Sequence, residues 1–408
     1  MKFFKPKGFT IIEILIVLFV ISVLAVILFF AFNTTDIIKR TRDAKRLNDL
    51  QAINSAIQAL LNQNPEINLG TDNLVYLSLP DSNPNCSSYP NLPPIFSPFS
   101  YRCASTSTFR KTDGNGWLPL NFSSSLFSFS SLPIDPLNNG DYFYVYFKQG
   151  NKYKLTARME SEAFGYQMIN DGGIEPLLYE LGNDLSLPTP QSGLVLYLPF
   201  EEGTGTITYD LSGYNNNGTL YNFNFTTSSG WVKGKIGWGL AFDGVDDYVS
   251  VATSTTLDLR NKDFSVIYWI YRFSTTSNYQ RVFSQNEESS TDCTNLNFGI
   301  SNSDTAYFDI YNCGGTTGLR GTIFLNKNQW WNLVFVNNKS TSINDYVFVN
   351  GKLDINGYRD PYQGPPGDIK LSVPWTAYQF YGVIDEVRVY LRSLNNLEAK
   401  LIYLYGIK

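Results

Sequence analysis

Lys7-Gly8-Phe9-Thr10-Ile11-Ile12-Glu13 opens onto a run from Ile14 to Phe32 in which Ser22 is the one polar residue. A stretch of that length and apolarity can span a bilayer as a helix. Lys2, Lys5 and Lys7 precede it. A secretory signal peptide has a shorter apolar stretch that ends in small residues at a cleavage site, whereas Asn33-Thr34-Thr35 follows here. The flanking charges do not set the topology: Lys39, Arg40, Arg42, Lys45 and Arg46 outnumber the leader lysines, with Asp36, Asp43 and Asp49 interleaved. Glu13 stands apart. A charged side chain in a membrane segment costs roughly 3 kcal/mol on insertion scales, so this carboxylate requires a partner.

These residues resemble type IV prepilins and pseudopilins: a basic leader ending in Gly8, then Phe9, then an acidic residue four positions on, with an apolar helix behind it. The resemblance implies cleavage after Gly8 by a membrane prepilin peptidase, N-methylation of Phe9, and pairing of Glu13 with the amino terminus of a neighbouring subunit. A carboxylate and an ammonium from two subunits neutralise each other in an apolar setting and so favour one register. Implied partners are other pilin subunits and pilus-assembly or secretion machinery. Implied locations are the cytoplasmic membrane before assembly and a pilus or the cell surface afterwards. Without the motif, the same run reads as a single-span tether. Many pilins kink this helix with a proline, but no Pro or Gly interrupts Phe9 to Asn64. The expectation is one helix of about 80 Å that Pro65 stops. Along it Ala44, Leu47, Leu50, Ile53, Ile57 and Leu60 form an apolar stripe, while Arg42, Arg46, Asp49 and Asn54 take the other face.

A chain of 408 residues is too long for one ordinary core, so at least two globular parts are expected. Charged residues make up 16%, against 27 tyrosines and 29 phenylalanines, the composition of a β-rich exported protein. The formal charge is -5 with no basic cluster outside the N-terminal helix, so nucleic acid is not an expected partner. The sequence has no histidine, which removes Ser-His-Asp and Cys-His catalysis and His-ligated zinc. Its four cysteines read as two local disulfides, Cys86 with Cys103 and Cys293 with Cys313; the other reading is free buried thiols.

From 65 to 187 the chain turns to Ser, Pro, Asn and aromatics, and Tyr142 to Lys148 with Lys152 to Met159 reads as an antiparallel hairpin. Trp117 and the tyrosines at 142, 144 and 146 are expected to pack on the helix. Leu187 to Gly193 reads as a short, stiff, Pro-containing connector. The expected organisation is a leader at 1–8, a long helix at 9–64 with 9–32 in the membrane or filament core, a pilin head at 65–187, a linker at 188–192 and a last domain at 193–408.

That last domain repeats strand-length apolar runs between turn signals, at Leu194 to Phe200, Gly239 to Phe242, Tyr248 to Val251, Phe264 to Tyr271, Tyr307 to Tyr311, Trp331 to Val336, Tyr346 to Val349 and Val383 to Tyr390. Many short strands with polar turns form a sandwich. Asn350-Gly351 signals a type I′ hairpin, so the sheets are expected to be antiparallel. The fold class is therefore α+β, a long pilin helix with a small antiparallel head followed by an all-β jelly roll.

Gly193 to Gly203, Asp210 to Gly213, Asn217 to Leu220, Phe242-Asp243-Gly244-Val245-Asp246-Asp247-Tyr248-Val249 and Gly382 to Tyr390 resemble LamG domains of the concanavalin A-like jelly-roll superfamily. Trp330-Trp331-Asn332 departs from it, since histidine often follows tryptophan there. The resemblance implies a binding or spacing module holding one Ca2+ through oxygen ligands, with Asp210, Asn217 and Asp385 as candidates. The other reading has Asp210 capping a turn and Asp385 paired with a lysine or arginine. Asp243, Asp246 and Asp247 sit where a hairpin turn uses aspartate. Trp231, Trp238, Trp375 and Tyr378 could stack on sugar rings, whereas Trp269, Trp330 and Trp331 fit a core. Jelly-roll hydrolases carry Glu-x-Asp-x-Glu, which this sequence lacks, and adjacent acids such as Glu201-Glu202, Asp246-Asp247 and Asp385-Glu386 point to opposite faces of a strand. The function read from the chain is a minor or tip pilin that displays a lectin-like domain for adhesion to a glycan or surface protein. The alternatives are a structural pseudopilin of a pilus or type II secretion system, and a tethered carbohydrate-active enzyme.

Overall fold

The computed structural model describes residues 10–31, 34–123, 129–274, 278–286, 295–312, 315–339, 344–373 and 377–406, with backbone alone at 24–31, 34, 312, 315 and 316. Helices α1 (Ile11–Ala31) and α2 (Thr34–Gln63) account for the helix expected over 9–64; residues 9, 32 and 33 lie outside the described residues. Helix α2 ends just before Pro65, which can neither donate to nor continue the ladder. The described apolar side chains of α1, from Ile11 to Val23, stand exposed. Among the described residues no helix is long and apolar enough to cross a membrane.

The second half of α2 packs on a five-stranded head sheet, ordered Ser100–Ala104, Leu74–Pro80, Tyr144–Gln149, Lys152–Ala157 and Tyr179–Gly182. Its first pair is parallel and the others antiparallel. The stripe Leu50, Ile53, Ile57 and Leu60 is buried against Trp117, Tyr144, Tyr146 and Tyr153. Each ring ends in a hydrogen bond: Tyr144 Oη donates to Asp49 at 2.8 Å, Tyr153 Oη to Asn54 at 2.7 Å, and Trp117 Nε1 to the Pro133 carbonyl at 2.9 Å. Cys86 and Cys103 form the expected disulfide, whereas Cys293 and Cys313 lie outside the described residues.

One expectation about α2 is corrected. Arg46, assigned by periodicity to the polar face, is fully buried. Its guanidinium donates to both oxygens of Asp135, at 2.6 and 2.9 Å, to Asp43 at 2.7 Å and to Glu160 at 2.6 Å. Arg42 adds a second ion pair to Glu160. Helix periodicity separates apolar from polar residues, but it cannot show that the polar face meets Asp135 and Glu160, two carboxylates brought in by the head.

A second acidic cluster sits under the head sheet. Glu180 is fully buried with Lys154 Nζ at 2.7 Å, and Asp171 accepts from the backbone amides of Gly173 and Glu180. Burial pushes Asp171 up to about 8, with the charge of Glu180 adding to it. Burial also pushes Glu180 up to about 7, against the opposing pull of Lys154. An unfolded carboxyl titrates near 4, so the fold holds protons that the unfolded chain releases at neutral pH. This contribution to stability is complete below the unfolded value and is lost as pH rises through about 8. Asp171→Asn is expected to flatten the fall in melting temperature between about pH 5 and about pH 9; an unchanged slope would assign the dependence elsewhere.

Two antiparallel eight-stranded sheets form the sandwich. The inner sheet runs Lys352–Gly357, Asp345–Val349, Trp330–Asn337, Phe264–Arg272, Tyr381–Tyr390, Trp238–Asp243 and Gly230–Lys233, with Leu194–Leu198 also pairing to Tyr381–Tyr390. The outer sheet runs Gly315–Phe324, Thr305–Asn312, Asn295–Ile300, Gln280–Gln285, Ile369–Leu371, Tyr248–Val251, Gly218–Tyr221 and Ile207–Thr208. All eight expected strands are present. Asn350 and Gly351 both have positive φ, 49° and 70°, as a type I′ turn requires. Phe283, Phe298, Phe308 and Phe335 fill the space between the sheets.

The side of the inner sheet turned away from that core is not free. Ile267, Val334, Val336, Phe348 and Tyr390 join one buried cluster with Leu50, Ile57 and Tyr179 of the head. Helix α3 (Gly165–Ile169) and the closing helix α4 (Asn396–Tyr405) complete the seam, where Leu401 lies so close to Gly165 that a Cβ there would stand 2.3 Å from it. Tyr390 Oη donates to Glu175 at 2.9 Å across the seam. The connector is part of the packing too, because Pro190–Ser192 form a buried 3-10 turn.

Candidate functional site

Gly8 and Phe9 lie outside the described residues, and so does Trp375. Glu13 closes a reciprocal cap at the start of α1: its Oε2 accepts from the Thr10 amide and hydroxyl at 2.8 Å, and its own amide donates to Thr10 Oγ1 at 3.3 Å. The carboxylate is exposed at the helix N-terminus.

Asp210, Asn217 and Asp385 each accept hydrogen bonds from backbone amides. Asp210 accepts four hydrogen bonds, from the amides of Tyr197, Ser212 and Asn216 and the Ser212 hydroxyl, which fills its lone pairs. Asn217 Oδ1 accepts from the Asp210 amide, so the pair closes a turn against Leu194–Leu198. Asp385 sits at a break in register beside Glu386, whose φ is 56°. Its Oδ2 accepts from the amides of Lys235 and Ile236 at 2.7 and 3.0 Å, and its buried Oδ1 has no partner. Burial, with the charge of Glu386, holds the Asp385 carboxyl well above the ordinary range. The expected lysine or arginine is replaced by backbone amides.

Asp243, Asp246 and Asp247 converge instead, with oxygens within 4.8 Å of one another. They sit in a turn, not on a strand, so the rule that adjacent acids diverge does not hold for Asp246 and Asp247. Asp247 Oδ2 accepts from the Asp243 amide at 2.9 Å and Asp243 Oδ1 from the Val245 amide at 2.8 Å, as a hairpin role predicts. Burial pushes Asp247 up to about 6. An all-oxygen set of this kind could hold a hard cation.

The aromatic candidates separate into two places. Trp231 donates to the Gly205 carbonyl at 2.9 Å and Trp238, 46% exposed, packs on Gly203, so both flank the 201–206 loop at the edge of the inner sheet. Tyr378 is 37% exposed beside the outer sheet, with the Arg281 guanidinium 4.3 Å from its ring centroid.

Around Tyr378 the strand register builds a surface that individual motifs do not reveal. Gly318, Asp309, Asn297, Ser284, Lys370, Ser250 and Thr219 are successive cross-strand partners on seven neighbouring strands. Directly opposed residues share a face, so they form one polar row on the side of the outer sheet away from the core. Two residues along, Arg320, Tyr307, Gly299 and Arg281 make a parallel row. Asp309 is paired with Arg320, and a Cβ at Gly318 would stand 2.1 Å from its carboxylate, so only glycine admits that pair. Burial pushes Asp309 up, and Arg320 chiefly opposes it. The Arg320 guanidinium lies against the rings of Tyr279 and Tyr307.

Ser284 Oγ, Asn297 Oδ1 and Tyr307 Oη on this face are buried and make no hydrogen bond with any described residue. An unsatisfied buried polar group costs roughly 1–3 kcal/mol, a cost that either water or a polar ligand relieves. The rim carries the stacked pair Tyr221 and Tyr248, with centroids 4.8 Å apart. The available signal was the alternation Asn295-x-Asn297 and Tyr307-x-Asp309-x-Tyr311, which places polar groups on one side of each strand.

Residues 4–29 match the model of the prokaryotic N-terminal methylation motif, and residues 243–400 match that of the concanavalin A-like lectin/glucanases superfamily. The chain carries both parts that its sequence resembles. No curated protein matches it. Among solved structures it is similar to the binding domain of Paraclostridial mosquitocidal protein 1, at 14% identity and TM-score 0.42 over 52% of each chain. It is similar to domain 4 of AbnA, a GH43 extracellular arabinanase from Geobacillus stearothermophilus, in complex with arabinotriose, at 18% identity and TM-score 0.41 over 51% of this chain and 96% of that one. The binding domain of botulinum neurotoxin serotype G gives 14% and 0.41 over 52% and 50%. The chain spans about half the length of these two toxin chains.

Proposed function

We propose that a chain joining a prepilin motif to a lectin-like sandwich is a minor or tip pilin that binds a glycan through the outer sheet. In this reading residues 1–8 are a leader removed after Gly8, Phe9 becomes the methylated terminus, and Glu13 pairs with a neighbouring subunit. Residues 65–187 are the head and 193–408 the displayed domain. The protein passes from the cytoplasmic membrane into a surface filament, handled by prepilin peptidase and assembly machinery. A head of this bulk would crowd a helical filament, which favours a place at the tip.

The observation that carries the binding role is the polar row, in which three side-chain atoms lack partners among the described residues, on the side of the outer sheet away from the sandwich core. Hydroxyls of a sugar supply both donors and acceptors for such groups, and tyrosine rings supply flat faces for the ring. The row holds one carboxylate, tied to an arginine, whereas glycoside hydrolysis uses two, so its role is binding and not catalysis.

The test is a glycan array probed with detergent-solubilised full-length protein, with and without EDTA. Tyr378→Ala is expected to weaken binding about tenfold or more without lowering the melting temperature. Asn297→Asp keeps the size of the side chain but replaces the amide that donates to Asn295 Oδ1 with a carboxylate, and is expected to abolish binding while the protein stays folded. Loss of binding in EDTA would assign a cation to Asp243, Asp246 and Asp247. A folded protein that retains no glycan would point to a structural pseudopilin with the sandwich as spacer.

A further inference from the structure

A cavity of about 510 Å³ opens at the seam between head and sandwich. The head contributes Pro90 to Pro94, Asp141 and Arg158; the sandwich side contributes Lys262, Asp263, Lys339, Arg392 and Glu398. Most of its charges are already used. Glu398 Oε1 lies 2.8 Å from Arg392 Nη1, and its Oε2 accepts from the Asn395 amide in the cap of α4. Asp263 accepts from the Lys339 amide, and Lys262 Nζ lies 5.7 Å from the centre of the Phe96 ring.

Arg158 is the exception. It has no hydrogen bond or ion pair with any described residue. Burial pushes its guanidinium down, and the like charge of Arg392 is the next cause; Glu398, Tyr142 and Asp141 oppose both, and Glu398 is already paired with Arg392. A guanidinium keeps its charge throughout the accessible pH range, so it cannot escape by losing a proton. Arg158 is half-buried, so its guanidinium stays open to the cavity and can meet a ligand there.

We propose that this cavity is an oxyanion site, in which Arg158, supported by Arg392 and Lys262, binds a carboxylate or phosphate group and so joins head to sandwich. The planar fork of Arg158 matches the two oxygens of either group. The wall of Pro90 to Pro94 gives the ligand an apolar side, which fits a group carried on a small organic body such as an acidic sugar as well as a free phosphate. The site lies away from the outer sheet and is independent of the glycan-binding reading.

Detergent-solubilised full-length protein is melted with inorganic phosphate, with glucuronate, and with chloride at matched ionic strength. At least one of the first two is expected to raise the midpoint above the chloride control, because a ligand bound only to the folded state stabilises it. A rise with phosphate alone assigns a phosphate ligand, and a rise with glucuronate alone assigns a carboxylated one. Arg158→Met is expected to leave the ligand-free midpoint unchanged or raise it, and to abolish the shift. Arg158→Lys keeps the charge without the fork and should need about tenfold more ligand for the same shift. Three results overturn the proposal: no shift beyond chloride, an Arg158→Met protein that responds as the parent does, or one that melts lower without ligand, which would mean that Arg158 is satisfied within the protein.

Discussion

Cut free at Gly193, the sandwich is expected to aggregate or to bind hydrophobic dye, whereas a chain beginning at Thr34 should stay soluble and fold cooperatively. The excision strips the inner sheet of the cover supplied by the head, baring Ile267, Val334, Val336, Phe348 and Tyr390. Each such side chain contributes about 1.5–3 kcal/mol on burial, so together they reach the order of 10 kcal/mol, comparable to the whole stability of a domain. Tyr390 also loses its hydrogen bond to Glu175, leaving a polar group stranded on an apolar face. Size-exclusion chromatography and denaturant titration of the two fragments provide the measurement. A monomeric sandwich fragment as stable as the longer chain would show that the seam contributes nothing. The same reasoning recommends against using the isolated sandwich in binding assays.

Arg46→Met should cost about 3–5 kcal/mol, the largest effect expected from one substitution, because it leaves Asp43, Asp135 and Glu160 buried with only Arg42 to offset them. Pairing Arg46→Met with Asp135→Leu should recover part of the loss, since removing both partners leaves fewer uncompensated charges. The effect should also depend on pH. Burial would raise the Glu160 carboxyl, but Arg42 and Arg46 outweigh it and hold it below the ordinary value. Stability from a depressed carboxyl is present above its unfolded pKa of about 4.3 and is lost as pH falls through the lower folded value. Acid denaturation of the variant should therefore begin from a lower plateau and fall less steeply than in the parent. Equal sensitivity of both proteins to acid would remove Glu160 from the account.

The sequence predicted local features well. The stripe of α2, the 144–157 hairpin, the Asn350-Gly351 turn and the aspartate-rich turn at 243–247 each depend on spacing and on the φ preferences of a few adjacent residues. Of Trp269, Trp330 and Trp331, all expected in a core, Trp269 and Trp331 are buried and Trp330 is half-buried at the start of its strand. The sequence missed three kinds of feature. Arg46 looked solvent-facing because its carboxylates lie 89 and 114 residues away. The amides that reach Asp210 and Asp385 escaped because a strand pattern does not show which of them will meet a carboxylate. The polar row escaped because each strand contributes a single residue to it.

What the sequence determined by itself is everything governed by neighbours within a few positions: the apolar run and capped start of α1, the periodicity of α2, the strands, the turns and the export-adapted composition. What only the tertiary structure decided is which faces are covered and which groups share a counter-charge. The head takes one side of the inner sheet, Arg46 gathers three acids, and Arg158 makes no ion pair with a described residue. Burial and electrostatic pairing act through space, and contacts between distant segments exist only after the chain has folded, so no local pattern encodes them.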